Sequence, residues 1–203
     1  MEITAAQVKT LRERTGAPMM DCKRALGEAG GDMEKAEGAL LRQGMAAAAK
    51  KASRATAEGS VGSYIHAGGK LGVLVEVVCE SDFVARTAEF QQLVHDLAMH
   101  IAATGPRWLN RQDVPADVLA AERTRLHQQA AAVNAGKPSA ILDKIVSGKL
   151  DKYLEEHCLA EQHFIKDDKL TIAELVAAVV GKLGENIQVR RFCRFKIGDE
   201  AAC

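Results

Sequence analysis

The chain has few aromatic side chains: Phe, Tyr and Trp together make up 4% of its 203 residues. With alanine abundant, that scarcity argues against an all-β sandwich and for helices packed on a small sheet, an α+β fold. Net charge is absent as well, because 27 Lys and Arg balance 27 Asp and Glu. No long-range field then gathers nucleic acid or anionic membrane, which leaves a protein or small molecule as the expected partner. No apolar run approaches the ~20 residues that a membrane span requires. The first residues, "MEITAAQVKTLRERTG", carry charges where a secretory signal needs an apolar run, so a cytoplasmic location is expected.

Recognisable site chemistry is also missing. The sequence has no Walker loop, GxSxG, HExxH or Cys/His nucleophile motif, so no enzyme activity and no cofactor are expected. Cys22, Cys79, Cys158, Cys193 and Cys203 are scattered without a CxxC, and read as reduced thiols, mostly small buried hydrophobes. The stretch "EEHCLAEQH" brings His157, Cys158 and His163 close in sequence, but at a spacing that fits no familiar metal site. No metal is expected there, and a thiol or metal enzyme built on these residues is the last of three function classes.

What is present is helical punctuation. Thr4 and Gln7 resemble a capping box, Val8 and Leu11 have helical spacing, and Gly16 stops a first helix over 5–15. A second helix starts near Pro18 and ends at Gly30 and Gly31; Asp32 caps a third, which ends at Gly44. These three helices form an N-terminal module over 1–44, followed by an alanine- and lysine-rich helical linker over 45–58. A core domain occupies 59–203. It opens with two strands around Gly68 and Gly69, read as a two-residue hairpin turn. The second strand is apolar on both faces and so central. Phe90, Leu93, Val94, Leu97 and Ile101 make one helical stripe that packs on the sheet. Residues 115–133 and 139–153 form a helical hairpin within about 115–157. The segment "HFIKDD", a helix over 171–183 and the strand "NIQVRRFCRFKI" complete a three- or four-stranded antiparallel sheet covered by helices.

Three stretches invite a functional reading. On a helical wheel of "PMMDCKRALGEAG", Met19, Cys22, Ala25, Leu26 and Ala29 share the core side, while Met20 lies nearly opposite between Lys23 and Arg24. Met20 is either a lone surface methionine, which spacing alone favours, or part of a docking surface for an acidic partner helix. In "CESDFVARTAEF", Phe83 precedes Phe90 by seven residues. Periodicity favours one continuous helix with both rings on the core stripe, Ser81 as N-cap and Asp82 in the first turn. The alternative breaks the helix near Arg86 and Thr87 and leaves Asp82 and Phe83 at a protruding tip. "RRFCRFKI" interleaves basic and aromatic residues, a pattern that can bind single-stranded RNA. A basic edge strand is the stronger reading, since the glycines and second aromatic strand of an RNA platform are missing.

"LRERTGAPMMDCKRAL", "VCESDFVAR" and "GENIQVRRFCRF" together resemble the elongation factor Ts family, the bacterial and organellar exchange factors for the translational GTPase elongation factor Tu. The resemblance covers nearly the whole chain. Pro18 stands where the family usually has glycine, and Ser81 where it usually has threonine. The length matches the short bacterial or organellar form, with one core subdomain where longer members have two, and short members act as homodimers. The resemblance implies a UBA-like N-terminal module and a guanine nucleotide exchange factor that makes and breaks no bond. It further implies that Asp82 and Phe83 enter the GTPase near its magnesium and phosphate site, that Met19, Met20 and Lys23 dock on it, and that His66 lies near the partner surface. A single-stranded RNA-binding protein is the runner-up function.

Overall fold

The computed structural model describes residues 3–134 and 137–199. They fall into two compact units, one formed by the chain up to residue 102 together with the part from 173 onward, the other by residues 103–172.

The first unit begins with three helices. Helix α1 (Ala5–Thr15) is opened by the expected capping box: the Thr4 hydroxyl accepts from the Gln7 backbone N–H, and the Gln7 side chain accepts from the Thr4 N–H. Helix α2 (Met19–Glu28) follows Pro18, and α3 (Met33–Lys51) is capped by Asp32, whose carboxylate accepts from the Lys35 N–H at 3.1 Å. Val8, Leu11, Cys22, Ala25, Leu26, Ala36 and Leu40 meet at the centre. The third helix differs from the sequence expectation, since it runs through Gly44 to Lys51 without a break. One glycine costs about 1 kcal/mol in a helix, and the alanines and lysines after it are strong helix formers.

Strands β1 (Glu58–Ile65) and β2 (Leu71–Cys79) form an antiparallel hairpin, and β5 (Gln188–Lys196) pairs antiparallel with β2 on its other side. The order β1-β2-β5 makes β2 central, as its apolar sequence predicts, and the sheet has three strands. The turn is longer than expected. His66 N–H donates to the Leu71 carbonyl and Gly69 N–H to the His66 carbonyl, so four residues, Ala67 to Lys70, make the loop. Both glycines adopt positive φ, 89° at Gly68 and 69° at Gly69, a conformation that side-chain-bearing residues rarely take.

One face of this sheet is covered by α5 (Ala88–Thr104). The predicted stripe of Phe90, Leu93, Val94, Leu97 and Ile101 is buried, together with Val73, Val75 and Val77 of β2. Gly62 permits the close approach: a Cβ there would lie 2.2 Å from Cγ1 of Val94. The other face leaves Val61, Ile65, Leu74 and Phe195 exposed. Helix α8 (Ile172–Leu183) leads into β5.

In the second unit, α6 (Ala116–Val133) and α7 (Ser139–His157) form the expected hairpin around Leu126, Ala130 and Val146. Val114, Leu154 and Cys158 pack at its base beside Trp108 and Tyr153. There Arg111 bridges Asp151 at 2.7 Å and Glu161 at 2.5 Å. The "HFIKDD" segment contributes β3 (His163–Phe164) and β4 (Asp167–Thr171), a separate two-stranded ladder. Among the described residues, no helix is long and apolar enough to cross a membrane.

Candidate functional site

At the end of β2 the chain turns into α4 (Asp82–Ala85), a helix of four residues, and breaks at Arg86 and Thr87 before α5 begins. The continuous helix favoured by periodicity does not form. Thr87 supplies the reason: its hydroxyl donates to the Val84 carbonyl at 2.8 Å and accepts from the Phe90 N–H at 3.2 Å, closing one helix and opening the next. The break takes Phe83 off the core stripe. Phe90 is fully buried while Phe83 is 81% exposed, and Val84 and Ala85 turn inward instead.

The tip is held from below. Ser81 caps α4 by accepting from the Val84 N–H at 3.4 Å. The Glu185 carboxylate, between α8 and β5, accepts from the Glu80 N–H at 3.1 Å, the Ser81 N–H at 3.0 Å and the Ser81 hydroxyl at 2.6 Å. Buried Asn186 donates its backbone N–H to the Glu80 carboxylate at 2.6 Å and its side-chain amide to the Arg54 carbonyl at 2.8 Å. The Asn186 N–H, then the Arg54 side chain, hold the Glu80 carboxyl below the usual carboxylate range. On the tip, Asp82 is ion-paired with Arg86 at 2.7 Å. Nothing local in the sequence marks Glu185 for this contact, although the "GENIQ" stretch carrying it belongs to the third motif of the resemblance.

Met19, Met20 and Lys23 share α2, and all three are exposed. Met20 is 72% exposed, as the wheel indicates, but Met19 is 49% exposed and not a core residue. Met19 is the first residue of α2, and helical side chains lean toward the N-terminus, so it reaches past the end of the helix and is only half covered there. Gly16, in the corner before α2, lies against Lys182 of α8, and Lys182 pairs with Glu89 in the first turn of α5 at 3.1 Å. His66 stands apart from the tip, at the opposite end of β2, with its Nδ1 3.0 Å from the Tyr64 hydroxyl.

The other sequence candidates do not converge. Phe192 pairs with Val75 on the α5 side of the sheet and Phe195 with Gly72 on the outer side, so the two rings cannot form one stacking platform. Arg191 and Arg194 are engaged with Glu76 and Asp199 at 2.6 and 2.9 Å. His157 Nδ1 lies 2.8 Å from the Tyr153 carbonyl, and Cys158 is fully buried, its thiol pushed up to about 11 chiefly by that burial. Among the described residues, no group of three His, Cys, Asp or Glu is arranged to hold a metal. Cys22, Cys79 and Cys158 are free and buried, and Cys203 lies outside the described residues.

Residues 46–199 match the family model described as "Elongation factor TS". The chain is 58% identical over 199 residues to "Elongation factor Ts" of Koribacter versatilis, an alignment that covers 98% of this chain and 90% of that protein. It is 58% identical over 198 residues to "Elongation factor Ts" of an Anaeromyxobacter species, with the same shares of 98% and 90%. The protein of the same name from Moorella thermoacetica is 54% identical over 197 residues, covering 97% of this chain and 96% of that protein. On this evidence the chain belongs to the elongation factor Ts family, in its short bacterial form, the nucleotide exchange factors of elongation factor Tu.

Proposed function

We propose that this exchange factor acts on elongation factor Tu through the α4 tip, with Phe83 as a wedge and Asp82 beside it. The observation that carries this reading is the exposure of Phe83, 81%, on a short helix whose base is fixed by hydrogen bonds from both sides. A bare ring on a supported tip can enter between two helices of a partner at little conformational cost. The GTPase holds GDP through magnesium and through backbone amides that cradle the phosphates. Prising apart the helices behind that cradle displaces magnesium ligands and loosens the phosphate loop, so GDP leaves faster. The factor forms no covalent intermediate. Reciprocity then requires bound nucleotide to weaken the factor's grip by the same ratio, so GTP loading ejects it.

Docking falls to α2, where Met19 and Met20 offer flexible thioethers beside the Lys23 ammonium. His66 is assigned a contact at the far end of β2. In this reading residues 1–44 are the docking module, 45–58 a connector and 59–203 the core. We further assign the exposed outer face of the sheet to a second copy of the chain, making a homodimer, and the pair to the cytoplasm, with no direct contact to nucleic acid.

The test is release of fluorescent GDP from purified elongation factor Tu in excess unlabelled GDP. Acceleration by the wild-type chain, largely lost in Asp82→Ala and Phe83→Ala, is the expected result. Full acceleration by both variants would remove the tip from the mechanism.

A further inference from the structure

A wedge transmits force only if its base does not yield. The base of this tip is Ser81, whose extended backbone (φ −130°, ψ 156°) sets the angle at which α4 leaves β2. Among local bonds, the Cys79 thiol donates weakly to the Ser81 carbonyl at 3.1 Å, which holds the carbonyl side of the turn and not its N–H side. The bond from Val84 N–H to the Ser81 hydroxyl is long, 3.4 Å, and the ion pair between Asp82 and Arg86 lies within the tip and turns with it. The restraint that reaches both N–H groups of the turn from a distance is Glu185, separated from Glu80 and Ser81 by 105 and 104 residues. One of its oxygens accepts both backbone N–H groups and the other accepts the Ser81 hydroxyl at 2.6 Å. Hydrogen bonds to a carboxylate are about twice as strong as neutral ones, and three that converge on two consecutive residues leave the chain no free rotation there.

Resting on the wedge reading above, we infer that Glu185 is a positioning residue for exchange: its carboxylate fixes the direction in which Phe83 points and carries the load when the partner's helices push back. Adjacent Asn186 braces the same turn from the other side, through Glu80 and the carbonyl of Arg54. Glu185 lies two residues after Leu183, the end of α8, so α8 and β5 act as the buttress of a tip that neither of them contains.

Without the restraint, Phe83 still reaches the partner but spends part of its time misdirected, which lowers the rate inside the complex and not the formation of the complex. Glu185→Ala is therefore expected to reduce GDP release at saturating factor by about tenfold or more, the scale of a small misplacement of a working group. The factor concentration giving half of that rate stays within about twofold of wild type. Glu185→Gln recovers most of the loss, since its amide oxygen accepts the two N–H groups and its NH2 donates to the Ser81 hydroxyl. A role confined to folding would lower the active fraction and the melting temperature while leaving the saturated rate per folded molecule unchanged. A folded Glu185→Ala protein with the wild-type saturated rate, or with a defect only in the half-saturating concentration, would overturn the inference. Should Glu185→Ala not fold, Ser81→Ala decides in its place: a saturated rate lowered by about threefold or more supports the inference, and a wild-type rate overturns it. Phe83→Ala is run alongside. A slow Phe83→Ala with a fast Glu185→Ala rejects only the positioning role, whereas a fast Phe83→Ala rejects the wedge reading on which that role rests.

Discussion

Phe83 and Phe90 are the same residue type seven positions apart, and Thr87 between them separates their fates. Because Phe83 contributes almost no buried surface, Phe83→Ala is expected to change stability by no more than about 0.5 kcal/mol. Removing the ring from the proposed wedge should nevertheless cut the saturated exchange rate by about tenfold or more, the effect typical of an anchoring aromatic. Thermal melting and GDP release, measured on the same preparation, check both halves. The thiols make a second residue-scale case. Burial pushes the Cys79 thiol up, the charge of Glu185 adds to that, and Cys158 is raised to about 11. At neutral pH neither supplies thiolate, so brief native alkylation should leave exchange unchanged. Lost activity together with a modified Cys79 or Cys158 would revive the thiol chemistry that their environments argue against.

At the scale of elements, much was legible because short-range physics decides it. The cap at Thr4, the stripe from Phe90 to Ile101 and the central place of β2 follow from caps and periodicity, which sequence carries directly. Periodicity does not say where a helix stops. It favours one helix through Thr87 and places Met19, the first residue of α2, on the core face, while Gly44, a stop signal by punctuation, lies inside α3. The clamp by Glu185 and Asn186 was illegible for another reason, since its partners are brought together only by folding. That clamp also makes an acid-sensitive joint. Glu80 is held below the usual carboxylate range by the Asn186 N–H and then by Arg54. A folded pKa below the unfolded one gives stability that is full at neutral pH and is lost as pH falls through the folded value. Glu80→Gln should therefore melt below wild type at pH 7, with the gap closing on acidification below about pH 4. A gap that is constant with pH would mean that the charge of Glu80 contributes nothing. On α2, Lys23→Glu should raise the half-saturating factor concentration severalfold and leave the saturated rate nearly unchanged, since in the proposed division of labour it alters docking and not the wedge.

At the scale of the molecule, the three-stranded sheet is covered on one side only among the described residues. Its inner face meets α5, while the outer face presents Val61 at 65%, Ile65 at 67%, Leu74 at 47% and Phe195 at 59% exposure. Their register places them together, with Ser63 opposite Leu74, Ile65 opposite Gly72, and Gly72 opposite Phe195. A contiguous apolar patch of this kind on a folded chain marks an interface more often than a bare surface. A second copy is the occupant that needs no further component, because a two-fold axis through the patch lets the same residues meet themselves. Arg191 and Glu76 pair within the chain on this face and neutralise each other, which removes the charge repulsion that two identical faces would otherwise meet. Leu74→Glu tests this directly. The side chain is half exposed in one chain, so a charge there is tolerated in the monomer, but two such charges facing each other in the proposed homodimer are not. Sedimentation equilibrium should give twice the chain mass for wild type and the chain mass for Leu74→Glu, with an unchanged helical signal. A wild-type protein sedimenting as a monomer at micromolar concentration would assign the patch to another partner. If the variant monomer still releases GDP at the wild-type saturated rate, one tip is enough for exchange and the second copy serves only to cover the sheet.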